Sequence, residues 1–392
     1  MNDPEVKLTL RAVQRYQTCK ALLDGRLTAD EAAAALGLSR RQVQRLKRRV
    51  QADGPQGLVH RNTGRAPANQ TPPALQQRVI NLATTTYAHF NFCHLADILF
   101  EEHGILLSDE TLRRWLRPQG HGRPPRRGKH RRRRTRRQRE GELLFLDGSP
   151  HPWLGPKQPA CCLLLASDDA TGKPLAGKFQ PEEDRDGCFE VCYLVFSVFG
   201  LPGGFYLDRA SQFVTTRYGG LHALHDPDRE PTHFEQAMST LGIGLIFAYS
   251  PQARGRGERL NGSFQDRLVA ELALRRITTP RRATEYLNTV FIPRYGRRFG
   301  RQAADPRPAW RPLPDGLDLK AVLCAKSSRV VANDLTVRFE GRTYQLLPPP
   351  TCPKLARASV EVQQWFDGSV HFCHARYGVI VAKRLPGRGK SG

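Results

Sequence analysis

Short apolar runs between residues 143 and 249 constrain this chain most. Leu143–Leu144–Phe145–Leu146, Cys161–Cys162–Leu163–Leu164–Leu165–Ala166, Phe205–Tyr206–Leu207 and residues 244–249 are too short for helices. They read as strands, the first of them buried. The first runs into Asp147–Gly148 and the third into Asp208, so two strands end in an acid. Leu175–Phe179 reads as a further strand. Gly187–Phe199 and Thr232–Leu241 have helical spacing, with Cys188, Val191, Cys192 and Val195 on one core face of the first. The order is three strands, helix, strand, helix, strand, helix, which predicts an α/β layer around a mixed five-stranded sheet.

After the last strand, Ser250–Pro251 and a basic glycine-spaced turn lead into a helix that runs to about Arg275. Glu258 lies in its first turn among Arg254, Arg256 and Arg259, with Asn261 one turn on; these arginines and Asn261 are candidate contacts to DNA phosphate or bases. An acid there is favoured by the helix dipole alone. It also suits a carboxylate that holds a divalent cation beside a phosphodiester. Asp147, Asp208 and Glu258 are therefore the candidate catalytic and metal-ligating residues, since hard oxygen donors suit Mg²⁺ or Mn²⁺. Asp168–Asp169 sits in a turn where Asp is common for backbone reasons. Glu190 lies among core-facing positions.

The N-terminal part is helical. Residues 9–23 form an amphipathic helix with Leu10, Val13, Leu22 and Leu23 apolar. Thr28 and Glu31 make a capping box for Ala29–Leu36, Gly37 ends that helix, and Ser39 caps a third from Arg40 to about Gln51. Helix, glycine turn and helix form the helix-turn-helix plan. Val43, Leu46 and Val50 share one face of the third helix; Arg41, Gln44, Arg45 and Arg48 share the other, with donors suited to base edges and phosphates. A second unit follows, with helices at Ala74–Ala83, His94–His103 and Asp109–Leu116 and Arg113, Arg114 and Arg117 exposed. His89, Cys93, His94 and His103 lack the spacing of a zinc site and read as packing residues, as do His371, Cys373 and His374.

Net charge is +24 and most cations are Arg, which favours polyanionic partners and bidentate phosphate contacts. Residues 123–139 are almost entirely Arg, Lys, His, Pro and Gly; Arg131, Arg132, Arg133 and Arg134 are candidate backbone contacts in a linker that tracks DNA. A basic membrane-surface protein would need an amphipathic helix with an aromatic face beside a lysine cluster, and none is legible. The nine cysteines have no regular spacing and read as reduced thiols. The expected location is cytoplasmic, at a bacterial nucleoid.

The organisation expected is a helix-turn-helix DNA-binding domain at 1–53, a linker at 54–73 and a second helix-turn-helix-like domain at 74–120. An Arg-rich linker at 121–140 precedes an α/β catalytic core at 141–276 with an insertion at about 214–231. An Arg/Pro-rich connector at 277–315, a small β-barrel at 316–383 and a basic tail at 384–392 complete the chain.

The runs LFLDGS, FYLDRASQF and YSPQARGRGERLNGSFQDRL resemble the DDE transposase family with a retroviral-integrase-like core, as in bacterial insertion-sequence transposases of ISNCY type. The third is the most specific: Tyr-Ser-Pro, a basic turn, then Glu258–Arg259–Leu260–Asn261. The resemblance implies an RNase H-like core with Asp147, Asp208 and Glu258 as ligands of two Mg²⁺ or Mn²⁺ ions. It implies binding to double-stranded DNA, both transposon ends and target, by a homodimer or higher assembly, with no membrane. It further implies hydrolysis at transposon ends and strand transfer for integration. The 49 residues between Asp208 and Glu258 are more than the family usually has there, and the stretch 214–231 accounts for them as an insertion. The competing expectation is a non-enzymatic, sequence-specific DNA-binding regulator derived from a transposase. A tyrosine recombinase would need an Arg/His/Arg cluster leading to a Tyr, and a nucleic-acid chaperone leaves the acids without a reason.

Overall fold

The structure is a computed structural model and describes residues 9–59, 70–122, 135–208, 210, 212–213, 230–248, 255–348 and 354–386. The chain divides into two compact units, 1–78 and 79–392, a boundary that falls inside one helix.

The first unit contains α1 (Leu10–Leu23), α2 (Ala29–Leu36) and α3 (Arg40–Asp53). The expected capping box of Thr28 with Glu31 forms, and the Ser39 cap is itself a capping box with Gln42. Gly37 adopts φ +62°, the left-handed turn that lets α3 leave α2 sharply. Leu22, Ala32 and Val43 form its core. Leu10 and Val13 do not join it: both are exposed, and Cys19 is buried with Leu22 instead. The apolar stripe of α1 is thus shifted toward its C-terminal half.

In the second unit, α4 (Pro73–Thr84), α5 (Phe92–His103) and α6 (Asp109–Leu116) precede the sheet. The strands are β1 (Leu144–His151), β2 (Cys161–Asp168), β3 (Pro174–Gln180), β4 (Gly204–Leu207) and β5 (Gly244–Phe247). Their order is β3-β2-β1-β4-β5, antiparallel from β3 to β1 and parallel from β1 to β5. This is the mixed five-stranded sheet expected. One face packs α7 (Arg185–Phe199) and α8 (His233–Thr240) through Leu144, Leu146, Cys162, Leu164, Phe205 and Leu207. The other packs α9 (Gly255–Leu274) through Leu163, Leu165 and Phe179 against Phe264, Leu268 and Leu272. Alternate residues of β2 serve opposite layers, which is why its run is apolar throughout.

The expected connector beyond Arg276 is not irregular. It begins with α10 (Pro280–Tyr286), a π turn at Leu287–Phe291 and α11 (Ile292–Phe299). Pro280 stands in the first turn of α10, where a missing N–H costs nothing, and Pro293 follows directly on the π turn within the same helical run. Ala283, Tyr286, Leu287 and Phe291 bury against the α9 layer. Asn288 exchanges two hydrogen bonds with the Gly177 backbone, and Thr284 accepts from the Phe179 N–H. These side chains satisfy the open edge of β3.

The C-terminal part holds α12 (Leu319–Val322) and β6 (Cys324–Val330), β7 (Thr336–Phe339), β8 (Arg342–Leu347), β9 (Ser359–Trp365), β10 (Val370–His374) and β11 (Gly378–Arg384). They form one antiparallel sheet, β6-β9-β10-β11-β8-β7. Its end strands β6 and β7 do not pair, so the expected barrel is a half-barrel. The sixth strand, Gly378–Arg384, lies at the boundary given to a basic tail.

A buried polar network ties α5 to the α9 layer. His94 Nε2 lies 2.8 Å from Glu271 Oε1, both side chains being almost wholly buried. Glu271 also pairs with Arg294 and accepts from the Tyr286 hydroxyl. Arg267 pairs with Asp97 at 2.9 Å, and Arg294 with Glu101 at 3.0 Å. The His94 cluster therefore serves packing, as expected. Burial would push the Glu271 carboxyl up, but the bonds from His94 and Tyr286 and the Arg294 charge outweigh it and hold it below its ordinary value. Burial pushes the His94 imidazole below 6.5, so it is neutral and donates from Nε2.

Both groups bind protons more readily in the unfolded chain. Stability is therefore present above their ordinary values and lost as pH falls, from about 6.5 downward for His94 and then through the carboxyl range for Glu271. Urea unfolding at stepped pH is expected to show that decline, flattened near pH 6 in His94→Asn. Glu271→Ala, which leaves the buried His94 and the partly buried Arg294 without their shared carboxylate, is expected to cost about 3–5 kcal/mol at neutral pH. An unchanged midpoint would refute the network's role.

Candidate active site

The site is built where β1, β4 and α9 meet. β1 and β4 pair in parallel as Leu144↔Phe205 and Phe145↔Tyr206. The Phe145 and Tyr206 rings meet edge to face at 5.5 Å, so those two side chains share a sheet face. Asp147 and Asp208 each stand two residues further along, Asp208 just past the end of β4, so the register continued from those pairs puts them on the same face. That face is the one covered by α9. Both carboxylates are half-buried.

The helix is held against β1 by matched spacings. Asn261 donates from Nδ2 to Asp147 Oδ2 at 3.0 Å, and Gln265 from Nε2 to Ser149 Oγ at 3.2 Å. Four helical residues advance about 6 Å and two strand residues about 6.7 Å, so an i, i+4 pair on α9 can serve an i, i+2 pair on β1. Gly257 makes the approach possible: a Cβ there would lie 3.2 Å from Asp147 Oδ2. Glu258 follows in the first turn of α9 and is exposed. The Ala210 N–H donates to Asp208 Oδ1 at 3.0 Å.

The fold therefore brings Asp147 and Asp208 side by side and places Glu258 on the helix covering them. Among the described residues, no three His, Cys, Asp or Glu side chains are already gathered as a metal cluster. Two acids stand nearby that sequence reasoning did not select. Glu183 covers Gly148, where a Cβ would lie 2.1 Å from its Oε2, and accepts from Gln212 Nε2 at 2.6 Å. Asp169 is wholly buried and pairs with Arg256. The glycine after Asp147 was the available signal for the first. Asp168 caps its own turn, accepting from Thr171 and from the Gly141 N–H. Glu190 pairs with Lys178.

The expected DNA-binding side chains divide. On α3, Arg41, Arg45 and Arg48 are exposed and Gln44 is half-buried, opposite buried Val43 and Val50. On α6, Arg114 is exposed, while Arg113 pairs with Asp109 and Glu110 of its own helix. Arg259 is exposed. Asn261 and Arg256, also expected to contact DNA, bond Asp147 and Asp169 within the protein. Arg131–Arg134, Arg254 and residues 214–229 of the expected insertion lie outside the described residues. Every cysteine among the described residues is a free thiol.

The winged helix-turn helix family matches residues 15–77. A transposase-designated protein of Sinorhizobium fredii, y4bF, is 34% identical over 366 residues, covering 93% of this chain and 79% of that one. The transposase for insertion sequence IS1202 of Streptococcus pneumoniae is 28% identical, covering 86% of this chain and 78% of its own. Among solved structures, the HTLV-2 integrase catalytic core domain in complex with magnesium matches 38% of this chain and 84% of its own, at 15% identity and TM-score 0.28. The simian T-cell lymphotropic virus intasome in complex with PP2A regulatory subunit B56 gamma matches 79% and 96%, at 13% identity and TM-score 0.31. Neither is close enough in geometry for a residue-level comparison.

A DNA-handling N-terminal unit and an acid-bearing mixed sheet define the class as a transposase. The chain belongs to the insertion-sequence transposase family represented by y4bF and IS1202.

Asn261→Ala is expected to lower stability by about 1–3 kcal/mol, the cost of losing a hydrogen bond to a partly buried carboxylate, while affinity for DNA stays unchanged. Denaturant unfolding and filter binding on the same variant separate the two. Weakened DNA binding at unchanged stability would make Asn261 a DNA contact instead.

Proposed function

We propose that the chain is a DDE transposase whose catalytic acids are Asp147, Asp208 and Glu258, acting on the ends of its element and on target DNA. The observation that carries this reading is the shared face of Asp147 and Asp208 beneath the first turn of α9. The donor set consists of carboxylates in a half-buried setting, with no thiol or imidazole among the three. That chemistry fits Mg²⁺ or Mn²⁺ and argues against zinc. When bound, two such ions would activate the attacking oxygen and stabilise the leaving one in phosphodiester displacement.

The chain's own residues supply orientation. Asn261 donates to one Asp147 oxygen and the Ala210 amide to one Asp208 oxygen, and each bond helps to orient its carboxylate. In the first reaction water displaces the 3′ oxygen at an element end, leaving a 3′-hydroxyl. In the second that hydroxyl attacks a target phosphodiester and the target's own 3′ oxygen departs. Specific end recognition falls to α3, with Arg41, Gln44, Arg45 and Arg48 toward the major groove. Arg114 and Arg259, with Arg113, Arg131–Arg134 and Arg254, would track phosphates. Two ends must be held for paired joining, which calls for a homodimer or higher assembly on DNA. No helix among the described residues is long and apolar enough to cross a membrane.

Asp147→Asn, Asp208→Asn and Glu258→Gln are each expected to reduce strand transfer by about 10³-fold or more, since several kcal/mol of charge stabilisation is removed. Gel assays with pre-cleaved and uncleaved ends in Mg²⁺ and Mn²⁺ read this out. Variants as active as wild type would remove these acids from catalysis, and a wild type without strand transfer would leave the regulator reading in its place. Separately, Arg41→Ala with Arg45→Ala is expected to abolish selection of the terminal repeats while joining of a pre-assembled end survives. The remaining affinity should fall steeply with salt. Unchanged repeat selectivity in a competition assay would remove α3 from recognition.

A further inference from the structure

We propose that Asp169 is a positioning residue for the transposition reaction, a buried carboxylate that ties the end of the Arg-rich linker to the first turn of α9 and so sets the place of Glu258. The proposal rests on the reading of Glu258 as a catalytic acid.

The turn after β2 contains two acids but uses only Asp168 to close itself. Asp168 accepts from the Thr171 amide and hydroxyl, each at 2.7 Å, and from the Gly141 N–H at 2.9 Å. Asp169 is surplus to that turn, yet it is wholly buried. A buried carboxylate needs charged or hydrogen-bonded partners, and those partners come from two distant segments. Its Oδ2 accepts the Arg137 backbone N–H at 2.7 Å, and its Oδ1 pairs with the Arg256 guanidinium. Its own carbonyl accepts from Arg136 Nη1 at 2.6 Å, and its amide donates to the Leu143 carbonyl at 3.0 Å, at the foot of β1. Burial and the nearby Arg256 charge both hold the Arg136 guanidinium below its ordinary value. Two guanidiniums therefore crowd a single carboxylate, and its charge keeps them together.

The consequence is geometric. Arg256 precedes Glu258 by two residues in the same helical turn. Asn261 and Gly257 fix that turn against Asp147 on one side; Arg256 and Asp169 fix it on another. Arg136 and Arg137 directly continue the basic stretch 123–135. A phosphate backbone bound along that stretch would pull on the Arg137 main chain, and Asp169 would pass the displacement to Arg256. The linker would thus do more than hold DNA: its seating would adjust the acid on α9.

The test uses the full chain with Asp169→Asn, Arg256→Ala, Arg256→Lys, the double variant Asp169→Asn/Arg256→Ala, and Glu258→Gln as reference. Hydrogen–deuterium exchange without DNA or metal is expected to rise about ten-fold at residues 255–261 in Asp169→Asn and Arg256→Ala, with α5 and α7 unchanged. Strand transfer is expected to lose about 30-fold in kcat with KM for end DNA within about two-fold of wild type. The Mn²⁺ concentration at half-maximal thermal shift should rise in parallel. Arg256→Lys should recover part of the loss, and the double variant should be no worse than either single one. If Asp169→Asn does not fold, Arg256→Ala reports the same contact from its partly exposed partner. An inactive Glu258→Gln beside Asp169→Asn or Arg256→Ala with wild-type turnover and exchange overturns the proposal, as do multiplicative losses in the double variant. A fully active Glu258→Gln overturns the underlying reading of Glu258.

Discussion

The contact between α9 and β1 is the one on which the rest of this structure depends. A helix laid over a sheet usually needs only apolar packing, and α9 has that through Phe264, Leu268 and Leu272. Packing alone is non-directional and would tolerate a slide along the strand. The two polar ties, Asn261 to Asp147 and Gln265 to Ser149, remove that freedom because their spacings match the two repeats. The far end of the same helix is tied through Glu271 to His94, Tyr286 and Arg294. Its first turn is tied through Arg256 to Asp169. A site made of residues from a strand, a strand end and a helix needs this kind of fixing, since an error of an ångström between them is costly in catalysis.

Much of this was legible before any coordinates. The five strands, their acids and the helices between them follow from run length and spacing. The capping box at Thr28 and the cap at Ser39 form as read. What escaped reading has physical causes. In residues 277–300 the Arg and Pro content hides the helical spacing of Ala283, Tyr286, Leu287 and Phe291. Barrel closure could not be read from strands alone, because it depends on whether β6 and β7 meet, and they do not. Asn261 and Arg256 looked like surface donors because sequence shows which face of a helix is polar, but not which polar group finds a buried partner. Glu183 gave no local signal beyond the glycine it covers.

The charge of the chain reads differently once the fold is known. A net +24 invites a DNA contact at every arginine. Several of these arginines work inside the protein. Arg267 is buried, lies 4.5 Å over the Phe299 ring and pairs with Asp97. Arg294 answers Glu271 and Glu101. Arg311 donates to the Leu241 and Gly242 carbonyls at the end of α8. Guanidinium suits this work because its planar fork bonds several acceptors at once and it is weakly hydrated. The chain uses one chemical group for two purposes, internal ties and polyanion contacts, and composition cannot separate them.

That division bears on how binding and catalysis communicate. An arginine held by a buried acid is not released to a phosphate without cost, because the acid would be left uncompensated in a low-dielectric interior. Arginines such as Arg256 and Arg267 are thus fixed points, whereas exposed Arg41, Arg45, Arg48, Arg114 and Arg259 are available to a ligand. Arg136 and Arg137 belong with the fixed arginines, since one bonds the Asp169 carbonyl and the other gives its backbone N–H to the Asp169 carboxylate. The same carboxylate pairs with Arg256 in the first turn of the helix that carries Glu258, so a single buried acid joins two segments far apart in the sequence.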